Sequence, residues 1–173
     1  MKKELFFILA GICIITHIVR TIFEILKHKK LLKPGKLSFI IVFTNMLLLW
    51  ASWFGLCSID PYRVTIPAAL RYLGIILAGL GVVSFLIALS TIKSLESYEG
   101  DLISHGIYAK IRHPMYLGFI LWLLGMPLYS GGIPSFILAV VFIANVLFWR
   151  YLEEIELVSR FTGYREYKRK TIF

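Results

Sequence analysis

Four stretches of this chain run for about 20 residues with few or no charges, and a fifth of similar composition is shorter. A helix of about 20 apolar residues crosses the ~30 Å hydrocarbon core of a bilayer. With 58% hydrophobic residues, 17% charged residues and a mean hydropathy of +0.79, the chain reads as an all-α, polytopic membrane protein. The spans fall at roughly Leu5–Leu26, Leu37–Cys57, Ile66–Leu89, from Pro114 to about Tyr129, and Ile133–Tyr151. The first carries His17, Arg20 and Glu24 and lacks a small-residue cleavage pattern, so it reads as a retained span rather than a signal peptide. Cys13 and Cys57 lie inside apolar runs without Cys-x-x-Cys spacing, which indicates neither a disulfide framework nor a thiolate metal site.

The last two spans are separated only by "SGGIP", a tight turn that predicts an antiparallel helical hairpin over 114–151. The fourth span, about 15 residues or ~22 Å long, is too short for a full crossing. Its N-terminal flank, "GIYAKIRHPMY", is therefore drawn toward the membrane boundary.

Lys and Arg concentrate on one side. The 27–36 loop holds five, the 91–114 segment three and the 150–173 tail six, against Lys2, Lys3 and Arg63 on the other side. Retention of positive charge in the cytoplasm places the N-terminus outside and the C-terminus inside. The net charge of +9 thus reads as topology and attraction to anionic lipid headgroups, about 1 kcal/mol per residue near the surface, and not as nucleic-acid binding. Seven of the ten acidic residues, Glu96, Glu99, Asp101, Glu153, Glu154, Glu156 and Glu166, fall in the third-to-fourth connection and the tail, which meet at one end of the hairpin.

Pro114 suits the first turn of a helix, where its fixed φ fits and its missing N–H is not needed. Arg112 and His113 then stand at a helix mouth whose free N–H groups and dipole favour an anion. Arg150, Glu153 and Glu154 are spaced three and four apart on one helix, so Arg150 shares a face with both carboxylates. Cationic donors on one wall and paired carboxylates on the other suit a zwitterionic ligand. Taken singly these features have plainer readings: a snorkelling Arg with a helix-start Pro, and a solvated helix face. His17 and Arg20 read as a snorkelling pair, Glu24 as a partner of Lys27 or His28, and Asn45 as an interhelical bond. The glycines of "LGIILAGLG" read as close helix packing rather than a phosphate loop.

"GIYAKIRHPMYLG", followed some forty residues later by "EEIELVSRFTGYREY", resembles the signature of the isoprenylcysteine carboxyl methyltransferase family of membrane proteins. The shared pattern comprises Gly106, Tyr108, Arg112, His113, Pro114 and Tyr116, and the likeness covers about Asp101 to Thr171. The resemblance implies S-adenosylmethionine as methyl donor, with 1–90 supplying three spans and 91–173 forming the cofactor-binding and catalytic region. It implies Leu102 and Ile103 as backbone partners of the cofactor, and Tyr108, His113, Pro114, Tyr116, Glu153 and Glu154 around it, with Arg112 bracing the turn. Arg150 and Glu154 would be catalytic, Arg150 as the cation facing the acceptor. The acceptor would be a lipophilic or lipidated molecule arriving from the bilayer, a carboxylate such as that of a prenylated cysteine being favoured and an amine or thiol remaining open. The family's Phe-Gly-x-x-Tyr-x-x-Tyr reads here "FTGYREY", with Gly163 displaced and Phe161 only three residues before Tyr164. Two other readings stand beside this one: an NADPH-dependent reductase of the sterol-reductase type, which shares an Arg-His-x-x-Tyr hairpin, and a non-enzymatic membrane scaffold.

Overall fold

A computed structural model describes residues 2–32, 35–92 and 100–173. Among these residues it contains helices α1 (Lys2–His28), α2 (Lys36–Ile59), α3 (Ala68–Ile92), α4 (Pro114–Ser130), α5 (Ile133–Arg160) and α6 (Tyr164–Lys170), with a 3-10 turn at Gly106–Ala109. α1, α2, α3 and α5 are long and apolar enough to cross a membrane, and the 17-residue α4, about 26 Å long, is the short apolar helix. The chain is a multi-pass membrane protein. Burial is inverted relative to a water-soluble bundle: Ile15 is 61% exposed while its neighbour Thr16 is 5% exposed. Lipid solvates isoleucine well and leaves hydroxyls and amides to find partners inside. α5 continues nine residues past the expected end of the span at Tyr151 and so carries Glu153 and Glu154 on the helix expected for them, and α6 follows it as an unexpected short helix.

α3 and α4 make the tightest seam. A Cβ built on Gly74 would lie 2.7 Å from the Gly125 carbonyl oxygen, and one on Gly81 would lie 2.6 Å from that of Gly118. Backbone thus meets backbone at two levels, and the glycines of "LGIILAGLG" do permit close packing. The expected α4–α5 hairpin is present, but α4 packs more extensively on α3 than on α5. Its turn uses Gly131 at φ 71°, whose N–H donates to Pro127 O at 2.8 Å. The 60–64 loop is stapled to this turn. Asp60 accepts from Tyr62 N at 3.0 Å and Ser135 N at 2.9 Å, and Val64 N donates to Gly131 O at 2.9 Å.

α1 meets α2 and α5 through polar groups. Asn45 Nδ2 donates to Thr16 O at 3.1 Å, as an interhelical bond. Asn145 bridges His17 Nδ1 at 3.2 Å and the Thr21 hydroxyl at 2.9 Å, and Trp149 Nε1 donates to the same hydroxyl at 3.0 Å. Here the sequence expectation fails. His17 and Arg20 do not snorkel; they are 3% and 8% exposed, His17 stacks on Phe142 at 3.9 Å, and Arg20 pairs with Glu24 inside the bundle. The reason is neighbourhood: Asn145 of α5 gives His17 a partner and Glu24 of α1 gives Arg20 one, which lipid does not offer.

Candidate active site

The site forms at the end of the bundle that holds the C-terminal tail. Gly106, at φ 59°, opens the 3-10 turn, and Lys110 and Ile111 N–H groups close on Ile107 O. Residues 110–112 then pair with the chain's last residues: Ile172 N donates to Lys110 O at 2.9 Å and Arg112 N to Ile172 O at 3.1 Å. Pro114 stands in the first turn of α4, preceded by His113 as an N-cap that makes no side-chain cap bond. The helix mouth therefore keeps its dipole and first-turn donors for a ligand.

Glu154 organises this end. Its Oε1 accepts from His113 Nε2 at 2.8 Å, Tyr164 OH at 2.9 Å and Arg112 Nε at 3.2 Å, while Lys168 Nζ binds Oε2. An ionised carboxylate only accepts, so His113 donates from Nε2 to Glu154, and its Nδ1 faces Glu153 Oε2, 3.9 Å away. Arg112 also donates from Nη1 to Lys168 O at 3.0 Å and Thr171 O at 2.5 Å, bracing the turn against the tail. Tyr167 OH donates to Tyr108 O at 2.6 Å. α6 is thereby strapped over the site by both tyrosines of "FTGYREY". Burial, and then the bond to Glu154, hold the Tyr164 phenol well above its usual range, so it remains a donor; burial raises Tyr108 and Tyr167 likewise.

One cavity opens here. Of the residues singled out in the sequence, Leu102, Ile103, Tyr108, Arg112, His113, Pro114, Tyr116 and Glu153 line it. Glu154 stands behind that lining and fixes the residues that form it. Arg150 is also outside the lining, its guanidinium 4.5 Å above the Phe173 ring. Arg150 and Glu153–Glu154 are thus brought to the same helix segment without being brought to the same cavity. Glu96 and Glu99 lie outside the described residues. Sequence reasoning gave Arg20 and Glu24 only interface and pairing roles and passed over Met46, Phe85 and Phe119, all on the cavity wall, and it left Arg160 and Phe161 without a role there. The available signal was two charges four residues apart inside an apolar run, which a membrane interior tolerates only with a partner or a function.

The donor set fits S-adenosylmethionine, a zwitterion with an added sulfonium charge. Asp101, Glu153 and Glu156 supply carboxylates, Arg112 and Arg160 supply cationic donors, and the uncapped mouth of α4 faces the same space. Tyrosines and Phe161 provide flat apolar surface. Toward the bundle interior the wall becomes Met46, Phe85, Met115 and Phe119.

Residues 69–163, a little over half of the chain, match the model of the phospholipid methyltransferase family. The protein-S-isoprenylcysteine O-methyltransferase of Schizosaccharomyces pombe (strain 972 / ATCC 24843) is 36% identical over 86 residues, which is 46% of this chain and 34% of that protein. The chain thus matches about a third of that relative's length. No solved structure matches it.

Proposed function

The chain belongs to the phospholipid methyltransferase family, and from that premise we propose that it moves a methyl group from S-adenosylmethionine to an acceptor that enters from the bilayer. A carboxylate such as that of a prenylated cysteine is the favoured acceptor. The observation that carries this reading is the cavity's two-part wall, charged beside the tail and apolar toward Met46, Phe85 and Phe119. A water-soluble donor and a lipid-soluble acceptor require such an arrangement.

When bound, S-adenosylmethionine supplies a methyl group made electrophilic by its sulfonium. The chain's own residues bind, orient and exclude water. Leu102 and Ile103 offer backbone groups, Glu153 and Asp101 hold positive charge, and the α4 mouth with Arg112 holds negative charge. Glu154 keeps His113, Arg112 and α6 in register, so that the polar end stays assembled while ligands exchange. Displacement at a methyl carbon needs close, aligned reactants and little water, and α6 with its two tyrosines supplies the cover. A carboxylate acceptor is already nucleophilic at neutral pH; an amine or thiol would need a base, and His113 is the nearest titratable group at the helix mouth. By the charge bias of the loops the tail end faces the cytoplasm, so the donor enters from there.

Calorimetry on the purified protein in detergent tests the reading. S-Adenosylmethionine and its demethylated product should bind and NADPH should not compete, and label from the methyl donor should appear on N-acetyl-S-farnesylcysteine. Binding of NADPH with no response to the sulfonium compound would replace this reading with a reductase.

A further inference from the structure

Arg20 and Glu24 lie on the cavity wall but take no part in the polar end described above. Both belong to α1, outside the residues that match the family model. With Lys27 they occupy one face at helical spacing, and all three line the cavity. Arg20 is only 8% exposed. Its Nη2 engages Glu24, yet Nε and Nη1 have no hydrogen-bond partner among the described residues. The rings of Phe23 and Trp149 lie 5.5 and 5.9 Å from the guanidinium carbon and supply no acceptor.

A buried guanidinium with unmade hydrogen bonds is costly, most of all inside a membrane protein, and an anionic oxygen removes that cost better than any neutral group. The pair's position says which anion. Arg20 and Glu24 share one cavity wall with the charged Glu153 and Arg112 and with the apolar Met46, Phe85 and Phe119, so a molecule that fills the apolar part can reach Arg20. A molecule reaching this point from the bilayer with its tail against Met46, Phe85 and Phe119 presents its head to Arg20. We propose that Arg20, held in place by Glu24, binds the anionic oxygen group, carboxylate or phosphate, of an apolar-tailed acceptor. The identity of that ligand as an acceptor rests on the methyl-transfer reading; the anion site itself does not. Glu24 balances the charge of Arg20 in the ligand-free protein and keeps its side chain from turning toward the interface.

The test measures binding with no methyl donor present, so it is blind to whether methyl transfer occurs. Trp149, close to Arg20, reports by fluorescence on the full chain in detergent. The probes are N-acetyl-S-farnesylcysteine, its neutral carboxamide, and farnesyl phosphate. The wild type should bind at least one of the two anions about tenfold or more tighter than the amide, the scale of a charge-assisted hydrogen bond. Whichever anion binds tighter identifies the source as a carboxylate or a phosphate headgroup. Arg20→Gln should erase the difference between anion and amide, and Arg20→Lys, which keeps the charge and loses the planar donors, should shrink it. Equal wild-type binding of all three probes overturns the proposal, as does an undiminished difference in Arg20→Gln. Should that variant not fold, an undiminished difference in Arg20→Lys has the same force.

Discussion

Asp60 and Glu154 stand at opposite ends of the bundle, 4% and 7% exposed, and each has both carboxylate oxygens hydrogen-bonded. Asp60 is held by the backbone N–H groups of Tyr62 and Ser135, two neutral donors fixed by a loop and a helix start. Glu154 is held by four side chains, three of them able to carry positive charge, drawn from the RHP turn and from α6. At the Asp60 end, connectivity and a glycine turn already bring the segments together, and the carboxylate locks them. At the Glu154 end no short connection joins the RHP turn to α5 or α6. Their association rests on side chains gathered by Glu154, together with the backbone bonds between Lys110, Arg112 and Ile172 and the Tyr167 bond to Tyr108 O. The end that holds the cavity is thus assembled largely through side chains, while the carboxylate at the opposite end is held by backbone N–H groups.

Removing the organising charge gives the sharpest contrast. Glu154→Gln keeps the shape but leaves Arg112 and Lys168 facing an amide, and losing one partner of a buried ionic cluster costs about 3–5 kcal/mol. Thermal melting in detergent should show that loss, and calorimetry should show weakened binding of S-adenosylmethionine. A variant with wild-type melting and wild-type cofactor affinity would deny Glu154 its organising part. Asp60→Asn is the matched experiment at the other end. An amide has one acceptor oxygen, so either Tyr62 N or Ser135 N loses its partner, at a cost of about 1–3 kcal/mol. Stability should fall by that smaller amount, with cofactor affinity per folded molecule unchanged. A drop in cofactor affinity beyond the unfolded fraction would mean that the two ends are coupled through α4 and α5, and the contrast between them would fail.

The sequence made these regions legible to different degrees. Hydropathy runs mark α1, α2, α3 and α5 because lipid demands long uninterrupted helices, and the brevity of α4 is visible in the same way. The His113–Pro114 mouth is legible because proline fixes the start of a helix wherever tertiary contacts fall. The last nine residues of α5 lie past the hydropathy run because Glu153, Glu154, Glu156 and Arg160 interrupt it, although the spacing of Arg150 and Glu154 already reads as helix. The displaced glycine of "FTGYREY" proved compatible with both tyrosines reaching the site, because Gly163 is the N-cap of α6, which carries them. Arg20 and Glu24 were visible as charges but not as cavity residues. Their burial depends on how α1 leans against α5, which no local pattern encodes.

Arg150 offers the smallest and most discriminating effect. On sequence it belongs with Glu153 and Glu154 as the cation that faces the acceptor, whereas in the fold it lies on the ring of Phe173 and helps dock the tail. Cation–π contacts at such sites are worth about 0.5–1 kcal/mol, so Arg150→Gln should lower stability by that little. The tail segment it anchors also pairs with residues 110–112, so a slightly looser tail should be detectable as faster amide exchange at Ile172. What the substitution should leave in place is the preference for charged over neutral acceptor probes, because that preference is assigned to Arg20. Measuring both readouts on the one variant separates two cations that the sequence presents alike. Faster exchange with intact discrimination makes Arg150 a clamp on the tail. Lost discrimination with a well-docked tail would return the acceptor-facing role to Arg150, and Arg20 would then be a structural partner of Glu24.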